Sequence, residues 1–218
     1  MKTTLTIVTV LLALLAQSPA ANAQVEQDEN DPSRFRQFKN ELSFGIVGAG
    51  DIRQQIWAVP GFNYKYYLKN GAIRVLAGGS YNESSSGGGQ GFSQYDTEYG
   101  VIVRAGYQYH VPLGRFMPIL GCDASFGAYG YEYNYQQNLD KSESTTFGVN
   151  PNLGIQFFIS PKISLLLDTR IDFSYRQNEY TSEYLDWQTN QPIKTVTRSA
   201  GINTRVAPFS TFLVAFHF

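Results

Sequence analysis

The sequence has almost no cysteine: Cys122 is the single one among 218 residues, so no internal disulfide can stabilise the fold. Stability must therefore come from burial and backbone pairing. Histidine, methionine and tryptophan occur only twice each, whereas glycine, tyrosine and phenylalanine occur 20, 15 and 15 times. A formal net charge of −1 argues against a nucleic-acid partner.

Long apolar runs are also missing beyond the amino-terminal stretch. That stretch has a basic Lys2, an apolar segment over residues 5–16 and the small-x-small triplet Ala21-Asn22-Ala23. This arrangement predicts a secretory signal peptide over residues 1–23, cut after Ala23, and a periplasmic tail over residues 24–38. No later run reaches the ~20 residues that a spanning helix needs, so a membrane could be crossed only with strands.

Apolar and polar residues alternate along most of the mature chain. Over residues 163–176 the odd positions are apolar except Thr169, and the even positions are Ser, Asp and Arg except Leu166. A period of two predicts a strand, because a helix would scatter these charges around its circumference. Eight segments share the pattern, the last of them FSTFLVAFHF: residues 41–46, 62–69, 73–81, 99–110, 120–128, 152–159, 163–176 and 209–218.

Eight such strands predict an all-β fold, an eight-stranded antiparallel up-and-down transmembrane barrel. Tight turns are expected at residues 69–71, 112–115 and 160–162, and long polar loops at residues 51–59, 82–98, 136–146 and 177–199. Short periplasmic turns and long extracellular loops are typical of outer-membrane barrels. Pro151 and Pro208 interrupt the pattern, so each should mark a bulge or a strand start, with Pro208 opening the last strand.

The two faces of the barrel can be assigned in two ways. A secreted, soluble lipocalin-like barrel turns its apolar residues inward, and a membrane barrel turns them outward. Two features favour the membrane: the polar face carries charges of both signs, and tyrosines cluster near strand ends as in aromatic girdles. The girdle tyrosines would be Tyr64, Tyr66, Tyr107, Tyr109, Tyr129, Tyr131, Tyr175 and Tyr180. The inward charges would be Glu41, Lys65, Arg74, Arg104, Asp123, Asp168, Arg170, Asp172 and Arg176.

Two stretches resemble known proteins. The tail FSTFLVAFHF is similar to the carboxy-terminal assembly signal of outer-membrane proteins. The hairpin PGFNYKYYLKNGAIRVLAGGSY (residues 60–81) resembles the small outer-membrane β-barrel domain family, the porin-family proteins of Gram-negative bacteria. The resemblance covers residues 39–218. It implies an integral protein of the cell outer membrane, in contact with lipid and lipopolysaccharide. It also implies insertion by the barrel-assembly machinery through the strand ending at Phe218.

We therefore expect a monomer with a structural or surface-interaction role, a side-chain-filled lumen, and no catalytic, cofactor or metal site. The segment Ser84-Ser85-Ser86-Gly87-Gly88-Gly89-Gln90-Gly91 lacks the Lys and the following helix of a phosphate-binding loop. The spacing of Asp28, Glu29 and Asp31 matches no calcium loop. Cys122 is expected to be a small lipid-facing residue.

A small lipid-modifying enzyme is a further alternative. Such an enzyme needs a nucleophile, a base and an orienting group within reach of one another. His110 and His217 are expected at the periplasmic ends of their strands, with Ser164 and Asp168 on a nearby strand. Histidines that cap the lumen or lie at the interface explain the same residues without catalysis.

The fourth predicted loop carries Tyr180, Tyr184 and Trp187 among polar residues. Tyrosine and tryptophan supply large contact areas with polar groups, so this loop is a candidate for contact with an extracellular ligand. The alternative is that strands five to eight simply extend beyond the bilayer.

Deleting Phe218 should impair assembly, because the terminal strand both closes the barrel and carries the assembly signal. The measurement is the folded, heat-modifiable fraction of the protein in outer membranes. An unchanged fraction would show that the terminal ring is incidental.

Overall fold

The structure, a computed structural model, describes residues 38–48, 58–88, 92–135, 138–186, 188–189 and 191–218. The predicted signal peptide, residues 24–37 of the predicted tail, Trp187 and the acidic residues Asp28, Glu29 and Asp31 lie outside the described residues. Within the described part of the chain, no helix has the length and apolar character needed to cross a membrane.

Eight antiparallel strands form one closed barrel, in which each strand pairs with its neighbours in the sequence and the last pairs with the first. The predicted all-β fold, an eight-stranded antiparallel up-and-down barrel, is therefore confirmed. The strands are β1 (Asn40–Gly48), β2 (Ala58–Tyr67), β3 (Gly71–Gly88), β4 (Phe92–His110), β5 (Phe116–Tyr135), β6 (Asn138–Ser160), β7 (Ile163–Leu185) and β8 (Pro192–His217).

One end of the barrel, the turn end, carries the three tight turns that the sequence predicts. Between β4 and β5, Leu113 and Phe116 exchange two backbone hydrogen bonds, of 2.8 and 3.1 Å. Gly114 lies inside this turn with a φ of 62°, a conformation that residues with a side chain rarely adopt. Both chain ends of the barrel lie here too, because Asn40 and Phe218 pair through their backbones.

The opposite end, the loop end, differs from the prediction of long loops. Residues 82–88, 92–98, 138–146, 177–185 and 192–199 are paired strand, so β3 to β8 continue well past the point where β1 ends at Gly48. The polar composition of these segments suggested loops. Strands rich in Ser, Thr and Tyr can nevertheless pair here, because neither face of the extended sheet has to pack against an apolar core. The alternative prediction, that the strands extend instead of giving way to loops, therefore describes these segments better, and it holds for β3 and β4 as well as for β5 to β8.

The two prolines behave differently. Pro208 does not open β8; it lies inside the strand, where Ala207 pairs with Arg170 and Thr211 with Asp168, so residues 208–210 form a bulge. The bulge points both Ser210 and Thr211 into the barrel. Pro151 marks neither a bulge nor a strand start. Two positions of β6 at this proline have no partner on β7, but the register of the two strands is the same on either side of it.

Burial of the side chains is the reverse of that in a soluble protein. Large apolar side chains face outward and are about half exposed, among them Phe44, Phe62, Val101, Leu153 and Phe173. Charged side chains such as Lys65, Arg74 and Asp123 face inward and are at most 1% exposed. The predicted facing is therefore confirmed on all eight strands. On β7 the apolar face extends from Ile163 to Tyr175, a belt about 30 Å tall at ~3.3 Å per residue and a tilt of about 40°.

Tyrosines border this belt at both ends. Tyr64, Tyr66, Tyr107 and Tyr109 are exposed near the turn end and Tyr175 near the loop end, as the sequence predicts. Tyr129 is an exception, because it faces into the barrel and its hydroxyl donates to Glu98 at 2.6 Å. The girdle assignment of Tyr129 was wrong because its position on the alternating strand belongs to the inward row, and Tyr131 lies on the same row. Tyr180 was also wrongly assigned, because it lies on the extension of β7 beyond the belt.

Replacing Leu167 with Arg should destabilise the barrel in lipid by about 2–4 kcal/mol, because Leu167 faces outward in the middle of the belt, beside Ile155 and Phe212. Val196→Arg is the matched control, since Val196 is 44% exposed on the β8 extension, far from the belt. Unfolding in urea from lipid vesicles measures both. Equal losses would invalidate the facing assignment.

Candidate functional site

The lumen contains a row of charges that runs from strand to strand around the barrel. Backbone pairing places Glu41 of β1 opposite Lys65 of β2, and Lys65 opposite Arg74 of β3. The row continues through Gly106 of β4 to Asp123 of β5. The register therefore gathers charges of both signs in one buried row, in which the like charges of Lys65 and Arg74 are neighbours and each needs a carboxylate.

Arg74 is the centre of the first network. Its Nε donates to Asp123 at 2.9 Å, its Nη2 also bonds Asp123, and its Nη1 donates to Asp168 at 3.1 Å. Gly106 lies between Arg74 and Asp123, and a β-carbon there would collide with the Asp123 carboxylate and the Cys122 carbonyl. The glycine thus lets the guanidinium reach across a whole strand.

The β8 bulge completes this network. Its Ser210 hydroxyl donates to the Asp168 carboxylate and to the Asp168 carbonyl oxygen, the latter at 3.3 Å. Asp168 is thereby satisfied by a cation on one side and a hydroxyl on the other, which is what a buried carboxylate requires. In the sequence, Pro208 is the one sign of this bulge. The proline does not reveal that the bulge turns the Ser210 hydroxyl inward beside that of Thr211.

A second network lies around Gln156, a neutral side chain that is fully buried in the lumen. The Gln156 side-chain amide donates to Glu41 at 2.8 Å, and its carbonyl accepts from Lys65 at 3.2 Å. Lys65 Nζ also lies 3.2 Å from Glu41, and the Tyr67 hydroxyl donates to the same carboxylate. All three members of the Glu41–Lys65–Gln156 cluster are fully buried.

Aromatic rings cover the turn end of the lumen. The Tyr67 ring lies 5.3 Å from His110 and 6.0 Å from His217, and Phe158 lies 5.0 Å from His217. Phe158 and Met117 pack together beneath Tyr67 and are at most 2% exposed. The two histidines therefore lie at the turn ends of their strands, as predicted, inside a floor of rings.

The structure brings Ser164 and His217 together, as the enzyme alternative requires. The Ser164 hydroxyl lies 2.8 Å from His217 Nε2, but Asp168 is engaged by Arg74 instead. Glu41 takes the orienting position, 3.9 Å from His217 Nδ1, which is beyond hydrogen-bond reach. Ser164 is fully buried on the inward face, where Gln156 also donates to its hydroxyl at 2.7 Å, and the enzyme alternative stays a prediction.

The loop-end half of the lumen is open space, a cavity of about 380 Å³ that we call the vestibule. Four arginines line it, Arg104, Arg170, Arg176 and Arg205, while Asp172 is the one acidic side chain among the described lining residues. Serine and asparagine side chains supply most of its other polar groups. Among the inward charges that the sequence predicts, those at the turn-end half are paired and those in the vestibule are mostly basic.

The extended strands carry the surface residues that the sequence assigned to the fourth loop. Tyr180 and Tyr184 are each 44% exposed, and both lie on β7 rather than in a loop. Tyr180 donates to Asp140 at 2.8 Å, which raises the pKa of the tyrosine hydroxyl. In the β7–β8 turn, bonds from Thr189 and Gln188 lower the pKa of Asp186. Contact with an extracellular ligand stays a prediction.

The structure describes only part of the remaining candidate motifs, and residues 89–91 of the serine–glycine segment lie outside the described residues. Ser84 and Ser85 lie on β3 as part of an exposed strand, not a phosphate loop. Cys122 is exposed on the outward face of β5. Within the described ranges, His, Cys, Asp and Glu side chains nowhere gather in threes that could hold a metal ion.

Comparison with known proteins adds little. No family model and no curated protein matches the chain, so the porin-family resemblance stays a prediction. Among solved structures, the chain is similar to a major outer membrane protein from Thermus thermophilus, with 10% identity and a TM-score of 0.47 over 82% of this chain and 97% of that one.

Replacing Arg74 with Met should cost about 3–5 kcal/mol of unfolding free energy, because it leaves two buried carboxylates without their cation. Arg104→Met is the matched control: Arg104 is equally buried, but two of its three nitrogens bond nothing. Its replacement should be neutral or stabilising. Similar losses for the two variants, measured in urea from lipid vesicles, would contradict the pairing account.

Proposed function

We propose that this chain is a monomeric integral protein of the bacterial outer membrane, with a closed lumen and a structural or surface-contact role. The observation that carries the proposal is the inverted burial: an apolar belt faces outward while paired charges fill the interior. Exposing such a belt to water would be strongly unfavourable, whereas lipid matches it. The same inversion argues against the soluble lipocalin-like alternative, whose interior would be apolar.

The turn end would face the periplasm and the loop end the cell exterior. Both chain ends of the barrel lie at the turn end, which suits a chain delivered from the periplasmic side. In this orientation β3 to β8 display a polar, tyrosine-bearing wall outside the cell, above a floor sealed by Tyr67 and Phe158. Outer-membrane lipid, lipopolysaccharide and the barrel-assembly machinery would be its partners.

Fractionation and gel migration test the membrane assignment. The protein should remain with outer membranes after a salt wash and should migrate faster before boiling than after it. A protein recovered in the periplasmic wash, with no heat-dependent mobility, would overturn the proposal.

Purified monomers should show no steady conductance of water-filled-pore size in planar bilayers, because the Arg74 and Gln156 networks fill an eight-stranded barrel. Emptying the lumen should have the opposite effect. A variant in which Arg74, Asp123, Asp168 and Phe158 are all replaced by Ser lacks both the charge network and part of the aromatic floor, so it should conduct ions. A steady open pore from the unaltered protein would show that the inward charges line a channel.

A further inference from the structure

The vestibule contains two buried cations, each of which has side-chain nitrogen atoms without an acceptor. Arg104 is 1% exposed, and its Nε and Nη1 bond nothing. Arg170 is 4% exposed, and its Nη1 is likewise without a partner. A guanidinium is charged at every physiological pH, and burying its donors without a partner is costly. Elsewhere in the lumen, Arg74 and Lys65 show that this barrel satisfies its buried cations with carboxylates.

The two guanidinium groups also meet at one point. Arg104 Nη2 and Arg170 Nη2 both donate to the carbonyl oxygen of Gly48, at 3.3 and 2.9 Å. Like charges held this close repel each other, and a neutral carbonyl compensates them only weakly. Two converging cations with spare donors are the arrangement in which proteins bind phosphate and carboxylate groups.

The acids near the vestibule do not remove this excess of positive charge. Asp172 already accepts from Arg170 Nε at 2.5 Å and from Asn150 at 2.7 Å. Glu98 does not line the cavity, and it accepts from the Tyr129 hydroxyl. Against the one acid Asp172, the described lining carries the three arginines Arg104, Arg170 and Arg176, apart from Arg205.

We propose that the vestibule binds a small, hydroxyl-bearing oxyanion, such as a sugar phosphate, with its anionic group held by Arg104 and Arg170. The volume of about 380 Å³ lies within the range of small-molecule sites. Ser80, Ser125, Ser144 and Asn150 line the same space, and the side-chain oxygen of Asn150 has no partner, so it can accept from a ligand hydroxyl. This site goes beyond the proposed membrane role and does not require conduction through the floor.

Titration calorimetry of the refolded full chain in detergent micelles tests the proposal, with inorganic phosphate, glucose 6-phosphate and glucose as probes at constant ionic strength. Both phosphates should bind saturably with one ligand per chain, glucose 6-phosphate more tightly, and glucose should give no heat. Arg104→Gln should weaken phosphate binding by roughly tenfold or more. Arg198→Gln is the matched control, because Arg198 makes the same change in charge on the exposed surface, outside the vestibule.

A second variant tests the site independently, in case Arg104→Gln does not fold. Ser174→Glu places a carboxylate in the vestibule lining, so it should abolish phosphate binding while leaving heat-modifiable migration intact. Absence of saturable heat with both phosphates would overturn the proposal. Equal weakening by Arg104→Gln and Arg198→Gln would also overturn it, because it would show non-specific attraction of anions to the whole barrel.

Discussion

A charge enclosed in a narrow barrel must meet an opposite charge, and the interior of this protein is arranged around that constraint. Removing an ion from water is so costly that only a close counter-ion and further hydrogen bonds compensate it. Strand register supplies the closeness: Glu41, Lys65, Arg74 and Asp123 follow one another across five adjacent strands. Two local features support this row of charges. Gly106 leaves room for the Arg74 side chain, and the bulge at Pro208 directs Ser210 to Asp168.

The pairing divides the lumen into two unlike halves. Towards the turn end, carboxylates match cations and rings close the floor, so this half is solid. Towards the loop end, cations outnumber acids and a cavity remains. The same side-chain types therefore have opposite consequences for stability: Arg74 holds the wall together, whereas Arg104 costs free energy unless an anion joins it.

The period-two alternation was sufficient to predict the eight strands, their facing and the closed barrel, because alternation is a direct property of strand geometry. It failed above the belt, where Thr, Ser and Tyr cover both faces of β6, β7 and β8 and composition alone suggests a loop. The lumen could be predicted only as a set of charges. Which of them pair depends on the register between strands, so neither the role of Gln156 nor the difference between Arg74 and Arg104 could be read from the sequence.

The central claim is that lipid contacts the apolar face while the polar face is enclosed, and adjacent positions on β7 test it most directly. In a chain whose Trp57 and Trp187 are replaced by Phe, Phe173→Trp places a fluorophore on the outward face and Ser174→Trp places one in the vestibule. In vesicles of lipid with brominated tails, the fluorescence of Phe173→Trp should be strongly quenched and that of Ser174→Trp should not. Quenching of Ser174→Trp alone, or of neither, would contradict the account.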